Sequence, residues 1–137
     1  MSFVPYLNFN GNCREVMTIY ADIFGATDLS VMTFGDGPPE FASPETKDLV
    51  MHSAFSSGPG AWLYASDVPP GMEWSGVNGS ISYDAPSAER AQSVFAALAE
   101  GGTIWMPLGP TFWSPLFGGV TDRFGTSWMI SFGPPAT

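Results

Sequence analysis

The sequence predicts an α+β fold of two βαβββ modules. Three observations carry that reading: a repeat at half the chain length, an amphipathic helix early in each half, and short apolar runs bounded by glycine and proline. The segment NFNGNCREVMTIYADIFG is matched by YDAPSAERAQSVFAALAEGG, each reading as a strand end, a polar turn and a helix. Val16, Ile19, Tyr20 and Ile23 recur as Ala91, Val94, Phe95 and Leu98, all displaced by the same 75 positions. One apolar helix stripe reproduced in register marks a duplicated unit. The two modules are expected to form a curved mixed sheet with helices on the convex side and an open cleft. Residues 1–70 would make the first module and 71–137 the second, together one structural domain large enough to bury a core.

The elements follow in order. Residues 3–9 alternate as a first strand, with Pro5, Leu7 and Phe9 on one face and Val4, Tyr6 and Asn8 on the other. Pro5 lacks an N–H for the ladder, so an edge position is expected. Asn10 to Cys13 form the turn and cap the first helix. Residues 27–33, 49–55 and 61–66 are rich in Val, Leu, Met and aromatic residues and read as three strands. Between them, 35–48 reads as a long mobile loop and 56–60 as a tight hairpin connection. After a Pro/Gly-rich joint at 67–76 come a strand at 77–83, a helix from about 87 to 100, and strands in TIWMP, PLFGGVTD and TSWMISF.

Composition narrows the function classes. With 4 basic and 13 acidic residues the formal charge is −9, which opposes the phosphate neutralisation that nucleic-acid affinity needs. An anionic membrane surface is disfavoured for the same reason. No apolar run approaches the length of a membrane span. The N-terminus shows no basic stretch followed by an apolar one, so no secretory signal is expected. The single cysteine, Cys13, can form no internal disulfide. Cytoplasmic localisation is the expectation.

Few residues carry obvious chemistry. His52 is the only histidine and the only side chain whose ordinary pKa lies near neutrality. It is either a catalytic base or ligand contact on a strand, or a half-buried imidazole held by a neighbour. Phe112 and Trp113 precede a strand, where aromatic rings either stack on a planar ligand or cover the end of the sheet. Tyr6, Asn8, Ser80 and Ser82 share the strand faces opposite Leu7, Phe9, Ile81 and Tyr83, forming a polar floor suited to orienting a small neutral or weakly anionic ligand. Asp122 reads as a turn residue accepting backbone hydrogen bonds before the last strand. Cys13 lies just inside the first helix, where a helix N-terminus lowers a thiol pKa, but with no second histidine or cysteine to support a dyad it reads as inert. No Ser/His or Cys/His nucleophile pair is visible in the sequence.

The phrases PYLNFNGNCREV, FWSPLFGGVTDRFGTSWMIS and AERAQSVFAALAEGG resemble the vicinal oxygen chelate superfamily, which includes glyoxalase I, extradiol dioxygenases and bleomycin-binding proteins, and within it the PhnB-like branch. The resemblance covers essentially the whole chain. It implies metal-ligand positions on the first and last strands of each module. Here they fall on Val4 or Pro5, on Asn78, on Met129, and within Trp62 to Ser66, none of which offers a strong donor. It also implies a carboxylate two positions after His52, where this chain has Ala54. PhnB-like proteins are often labelled as ubiquinone-pathway methyltransferases, yet no glycine-rich nucleotide loop supports a methyl-donor site.

The resemblance leads to a metal-free, small-molecule-binding protein with an aromatic-lined cleft, its ligand-binding residues drawn from Tyr6, Asn8, Asn78, Ser80, Ser82, Phe112, Trp113 and Met129. The alternative is a glyoxalase/dioxygenase-like or lyase-like enzyme using His52 and a divalent metal in a non-standard site. No cofactor is expected under the first reading. A homodimer, the common assembly of the superfamily, is expected under both.

Overall fold

Each half of the chain folds as strand, helix and three further strands. The computed structural model describes residues 3–37, 39–58, 61–68 and 79–133, and the chain divides into the units Met1–Gly76 and Val77–Thr137. The expected boundary at 70/71, like Asn78, lies outside the described residues.

The first unit carries β1 (Tyr6–Phe9), α1 (Cys13–Ile23), β2 (Ser30–Thr33), β3 (Val50–Ser56) and β4 (Trp62–Asp67). Its sheet runs in the order β1-β4-β3-β2, with β1 parallel to β4 and the other pairs antiparallel. The second unit repeats this arrangement with β5 (Ser80–Asp84), α2 (Ala88–Ala99), β6 (Thr103–Gly109), β7 (Leu116–Thr121) and β8 (Ser127–Phe132) in the order β5-β8-β7-β6. β1 is an edge strand, and Pro5 sits just before it, where its carbonyl accepts the Tyr64 N–H at 3.1 Å. The missing proline N–H therefore costs no ladder bond.

Packing follows the two periodicities of the sequence. On α1, Val16, Met17 and Tyr20 are fully buried, and Leu7, Phe9, Leu63 and Ala65 of the adjoining strands are buried with them. On α2 the repeated stripe Ala91, Val94, Phe95 and Leu98 is buried, as are Val120, Trp128 and Ile130 of the second sheet. Gly118 permits close helix–sheet packing there, since a Cβ at that position would lie 2.8 Å from the Phe95 ring and 2.9 Å from the Leu108 backbone.

The helix starts differ. Ser87 caps α2 by accepting the Arg90 N–H at 3.0 Å, the usual device for an orphan helix donor. At α1 the Asn12 side chain makes no cap bond. A distant residue supplies the acceptor: Asp67, at the end of β4, takes the N–H groups of Gly11 (2.8 Å) and Cys13 (3.0 Å) on one oxygen and that of Val50 (2.9 Å) on the other.

The segment read as a long mobile loop, 35–48, connects β2 to β3 and carries short turns. Residues Phe34–Asp36 and Pro39–Phe41 form two 3-10 turns. Asp36 accepts the Thr33 N–H and hydroxyl, and the backbone N–H groups of Phe34 and Gly35 bond to the carbonyls of Leu49 and Lys47. Local side-chain acceptors and short-range turns satisfy a backbone that cannot continue a strand.

Cys13 reverses the direction its helix position suggested. The side chain is fully buried, and its thiol is pushed up to about 11, chiefly by burial, against the opposing contact with Ser53 and with the Asp67 charge raising it further. Ser53 Oγ already donates to the Ala65 carbonyl at 2.8 Å, so the thiol donates across its 3.5 Å contact with that oxygen. Desolvation outweighs the helix terminus because the thiolate has no water to charge into. Native protein should resist Ellman's reagent at pH 8 and react fully once denatured. The folded pKa lies above the unfolded value of 9.0. The associated stability is therefore complete below pH 9 and lost as the pH rises towards 11, a slope that Cys13→Ala should abolish in denaturant titrations. Rapid native labelling would contradict this placement.

Candidate functional site

In each module one sheet face packs on its helix, and the opposite face carries the polar and aromatic candidates. Strand register decides which residues share that second face. In the first module, Tyr6 lies opposite Tyr64 and Asn8 opposite Ser66 across β1 and β4. Ala54 pairs with Tyr64, and Ser56 with Trp62, across β3 and β4. Met32 pairs with His52 from β2.

His52 is half-buried and belongs to an aromatic cluster. The Tyr6 hydroxyl and His52 Nδ1 share a hydrogen bond of 3.2 Å. The Tyr64 ring meets the imidazole edge-on at 5.1 Å between centroids, and Trp62 lies 6.4 Å from Tyr64. The nearest polar partner of the imidazole is thus a phenol rather than a carboxylate, and Ala54 provides none. Such a pair can orient a ligand or pass a proton, but it lacks the third group that fixes a general base in a triad.

In the second module, Ser82 pairs with Met129, and Asp84 with Ser131, across β5 and β8. Phe117 of β7 lies opposite Ser131, and Gly119 opposite Met129. Ser80 and Ser82 are exposed and Met129 is half-buried, so these candidates share the face away from α2. Gly119 has a local purpose: a Cβ there would collide with the Trp105 indole, which lies across the sheet at that point and is 48% exposed.

Phe112 and Trp113 are adjacent in space as well as in sequence. Their rings meet edge-on at 4.7 Å, and Trp113 meets Phe117 edge-on at 5.4 Å. The loop beneath them is tied by Ser114, whose carbonyl accepts the Thr111 N–H at 2.9 Å and whose hydroxyl donates to the Leu116 carbonyl at 2.8 Å. Phe112 is 89% exposed, so it does not cover the end of its own sheet. Trp113, Ser114 and Phe117 join Asp84, Ser131 and Gly133 around a recess of about 270 Å³. Asp84, Phe117 and Ser131 were not among the sequence candidates. Their signal was the strand register, which aligns all three in one row across β5, β8 and β7.

Asp122 occupies the turn position the sequence indicated. One oxygen accepts the N–H groups of Phe124 (2.9 Å) and Thr126 (3.0 Å), and the other accepts the Trp128 indole N–H at 2.9 Å. Arg123 lies over the Phe124 ring, its guanidinium carbon 4.8 Å from the centroid. Both residues serve the β7–β8 turn.

The donor set of the described residues does not fit a divalent metal. Among the described residues, no three His, Cys, Asp or Glu side chains lie together in a way that could hold an ion. The mapped positions Val4, Pro5 and Met129 bring no imidazole or carboxylate, and Asn78 lies outside the described residues. Among the described residues, no helix is long and apolar enough to cross a membrane.

The sequence model of the family described as 3-demethylubiquinone-9 3-methyltransferase matches residues 1–131. The chain belongs to this family. Solved structures described as a glyoxalase-related enzyme from Fulvimarina pelagi and a glyoxalase/bleomycin resistance protein/dioxygenase family enzyme from Burkholderia phytofirmans share its fold at 18% and 14% identity. Protein YjdN of Escherichia coli is 31% identical over 96% of this chain and 95% of its own. Protein PA1353 of Pseudomonas aeruginosa is 43% identical, with a TM-score of 0.87 over 98% of both chains. A Bacillus cereus protein described as a putative 3-demethylubiquinone-9 3-methyltransferase, PhnB protein, shares the fold at 24% identity. Its TM-score is 0.69, over 97% of this chain and 100% of its own.

Proposed function

We propose that this PhnB-like protein binds a small molecule without a metal, using the aromatic recess of the second module. The observation that carries the reading is the recess bounded by Trp113 and Phe117, with Asp84 and Ser131 as its polar groups. An apolar wall with a few polar groups is the general form of a small-ligand site. Its volume suits a compact ligand or one ring of a larger compound. Phe112 and Trp113 are the anchors in this reading, while Ser80, Ser82 and Met129 extend the floor on the same sheet face. Tyr6 and Asn8 supply a second polar surface on the first module. Asn78 and a homodimeric assembly complete the proposal, in which the cell interior is the working compartment.

Metal-dependent isomerisation or ring cleavage needs a Lewis acid held by strong donors, and the described donor set does not supply them. The family's description names a methyl transfer, which requires a site for a methyl donor. Neither the glycine-poor β1–α1 turn nor the recess offers a phosphate- or nucleotide-binding loop. The competing enzyme reading, with His52 as catalytic residue and a non-standard metal site, is favoured by one feature, the Tyr6–His52 hydrogen bond.

Elemental analysis of untagged protein, paired with thermal melts in added Ni, Zn, Mn, Fe or chelator, separates the two. The expected result is no stoichiometric metal and no shift in the melt, with stabilisation instead by compounds from an aromatic ligand screen. Near-stoichiometric metal and a melt that falls on chelation would overturn the metal-free reading.

A further inference from the structure

We propose that the second-module recess selects a ligand carrying an organic ammonium group next to an aromatic or apolar body. This deepens the binding role proposed above and rests on it. Among the described residues lining the recess, Asp84 is the only charged one, and the walls are the Trp113 and Phe117 rings. Asp84 is exposed at the end of β5. Among the described residues its side chain accepts one hydrogen bond, a long contact of 3.4 Å from the Ser131 hydroxyl. The carboxylate therefore keeps acceptor capacity facing the recess.

The two walls add to that preference. An aromatic face carries negative potential and attracts a cation, most strongly when the ring is an indole. The edge-on contact of Trp113 with Phe117 sets the two ring planes at 71°, so the rings present differently oriented surfaces to one guest. A quaternary or protonated amine, weakly hydrated and bulky, fits between a carboxylate and aromatic faces. An anion would meet Asp84 with no lysine or arginine lining the recess to offset it. The long-range field acts in the same sense, since the chain carries a formal charge of −9 and concentrates cations near its surface.

The test titrates three probes of similar size, benzyltrimethylammonium chloride, benzyl alcohol and phenylacetate, into the full chain and into Asp84→Asn and Trp113→Ala, using ligand-observed NMR. Matched thermal melts confirm that the variants fold. The expected result is that benzyltrimethylammonium binds about tenfold tighter than benzyl alcohol, a difference of about 1.4 kcal/mol, with phenylacetate weakest. Asp84→Asn should remove that advantage while leaving benzyl alcohol unchanged, and added salt should weaken only the cation. Trp113→Ala should weaken all three probes.

If benzyl alcohol matches the cation and Asp84→Asn changes nothing, the ammonium selectivity is wrong. In that outcome a Trp113-dependent affinity still supports the binding recess. Cation binding indifferent to both substitutions would place it elsewhere and overturn the inference. Failure of all three probes to bind would count against the recess itself, and the inference would fall with it.

Discussion

Asp67→Ala is expected to destabilise the first module by about 3–5 kcal/mol, the scale seen when a buried charged group is removed from its partners. Asp67 is 2% exposed, and its two oxygens accept three backbone N–H groups, from Gly11, Cys13 and Val50. Truncation would leave the buried N–H groups of Cys13 and Val50 without an acceptor, whereas the part-buried Gly11 N–H can turn to water. Those donors belong to the β1–α1 turn, the first residue of α1 and the first residue of β3, so one deletion loosens three elements at once. Asp67→Asn keeps one acceptor oxygen and should cost less, because Gly11 and Cys13 can retain it while the amide group opposes the Val50 N–H. Urea denaturation read by circular dichroism measures both. A loss below about 1 kcal/mol for the alanine variant, smaller than a typical helix-cap deletion, would show that the clasp does not hold the module together.

The clasp also shows where sequence reasoning reached its end. The duplicated helix stripe was legible because helical periodicity is local, and Val16 and Tyr20 lie buried just as Ala91 and Phe95 do. The sequence of elements in each module, strand, helix and three strands, followed from the same repeat, whereas the sheet orders β1-β4-β3-β2 and β5-β8-β7-β6 came from the structure. The cap of α1 was not legible in the same way, because the acceptor sits 54 residues from Cys13 at the end of a strand whose register no local pattern reveals. Nothing near Asn12 in the sequence points to Asp67. The segment 35–48 holds no α-helix or strand among its described residues, as its proline and glycine signalled, but the short-range bonds by which Asp36, Ser43 and Thr46 satisfy its backbone were not legible.

The candidate site divides along the same line. Alternation alone placed Tyr6, Asn8, Ser80 and Ser82 on exposed strand faces, and adjacency alone placed Phe112 beside Trp113. The recess required two further facts, the pairing of Asp84 with Ser131 and of Ser131 with Phe117. Both are long-range pairings, with Asp84 and Ser131 separated by 47 residues. Tyr64, which meets His52 edge-on, and Trp62, which lies against Tyr64, escaped notice because they looked like ordinary strand aromatics. Chemistry-bearing residues can be named from a sequence, whereas the company they keep depends on register.

Asp122→Ala should destabilise the second module by about 3–5 kcal/mol, for a reason parallel to that for Asp67 but at a different point in the fold. Asp122 is 6% exposed and Trp128 is 2% exposed, so the carboxylate, the indole N–H and the Thr126 N–H meet out of contact with bulk water. One oxygen closes the β7–β8 turn through Phe124 and Thr126, and the other fixes the Trp128 ring that fills the core beneath β8. Asp122→Asn separates the two functions. Its remaining oxygen can hold the turn, leaving an amide N–H facing the indole N–H, or it can hold the indole and release the turn. Either choice should cost roughly half of the alanine effect, since one of two acceptor positions survives. Near-UV circular dichroism distinguishes them, because release of Trp128 should diminish its aromatic signal before the module unfolds. An alanine variant within about 0.5 kcal/mol of the parent would match an ordinary surface substitution and would mean that the tryptophan packs without its hydrogen bond.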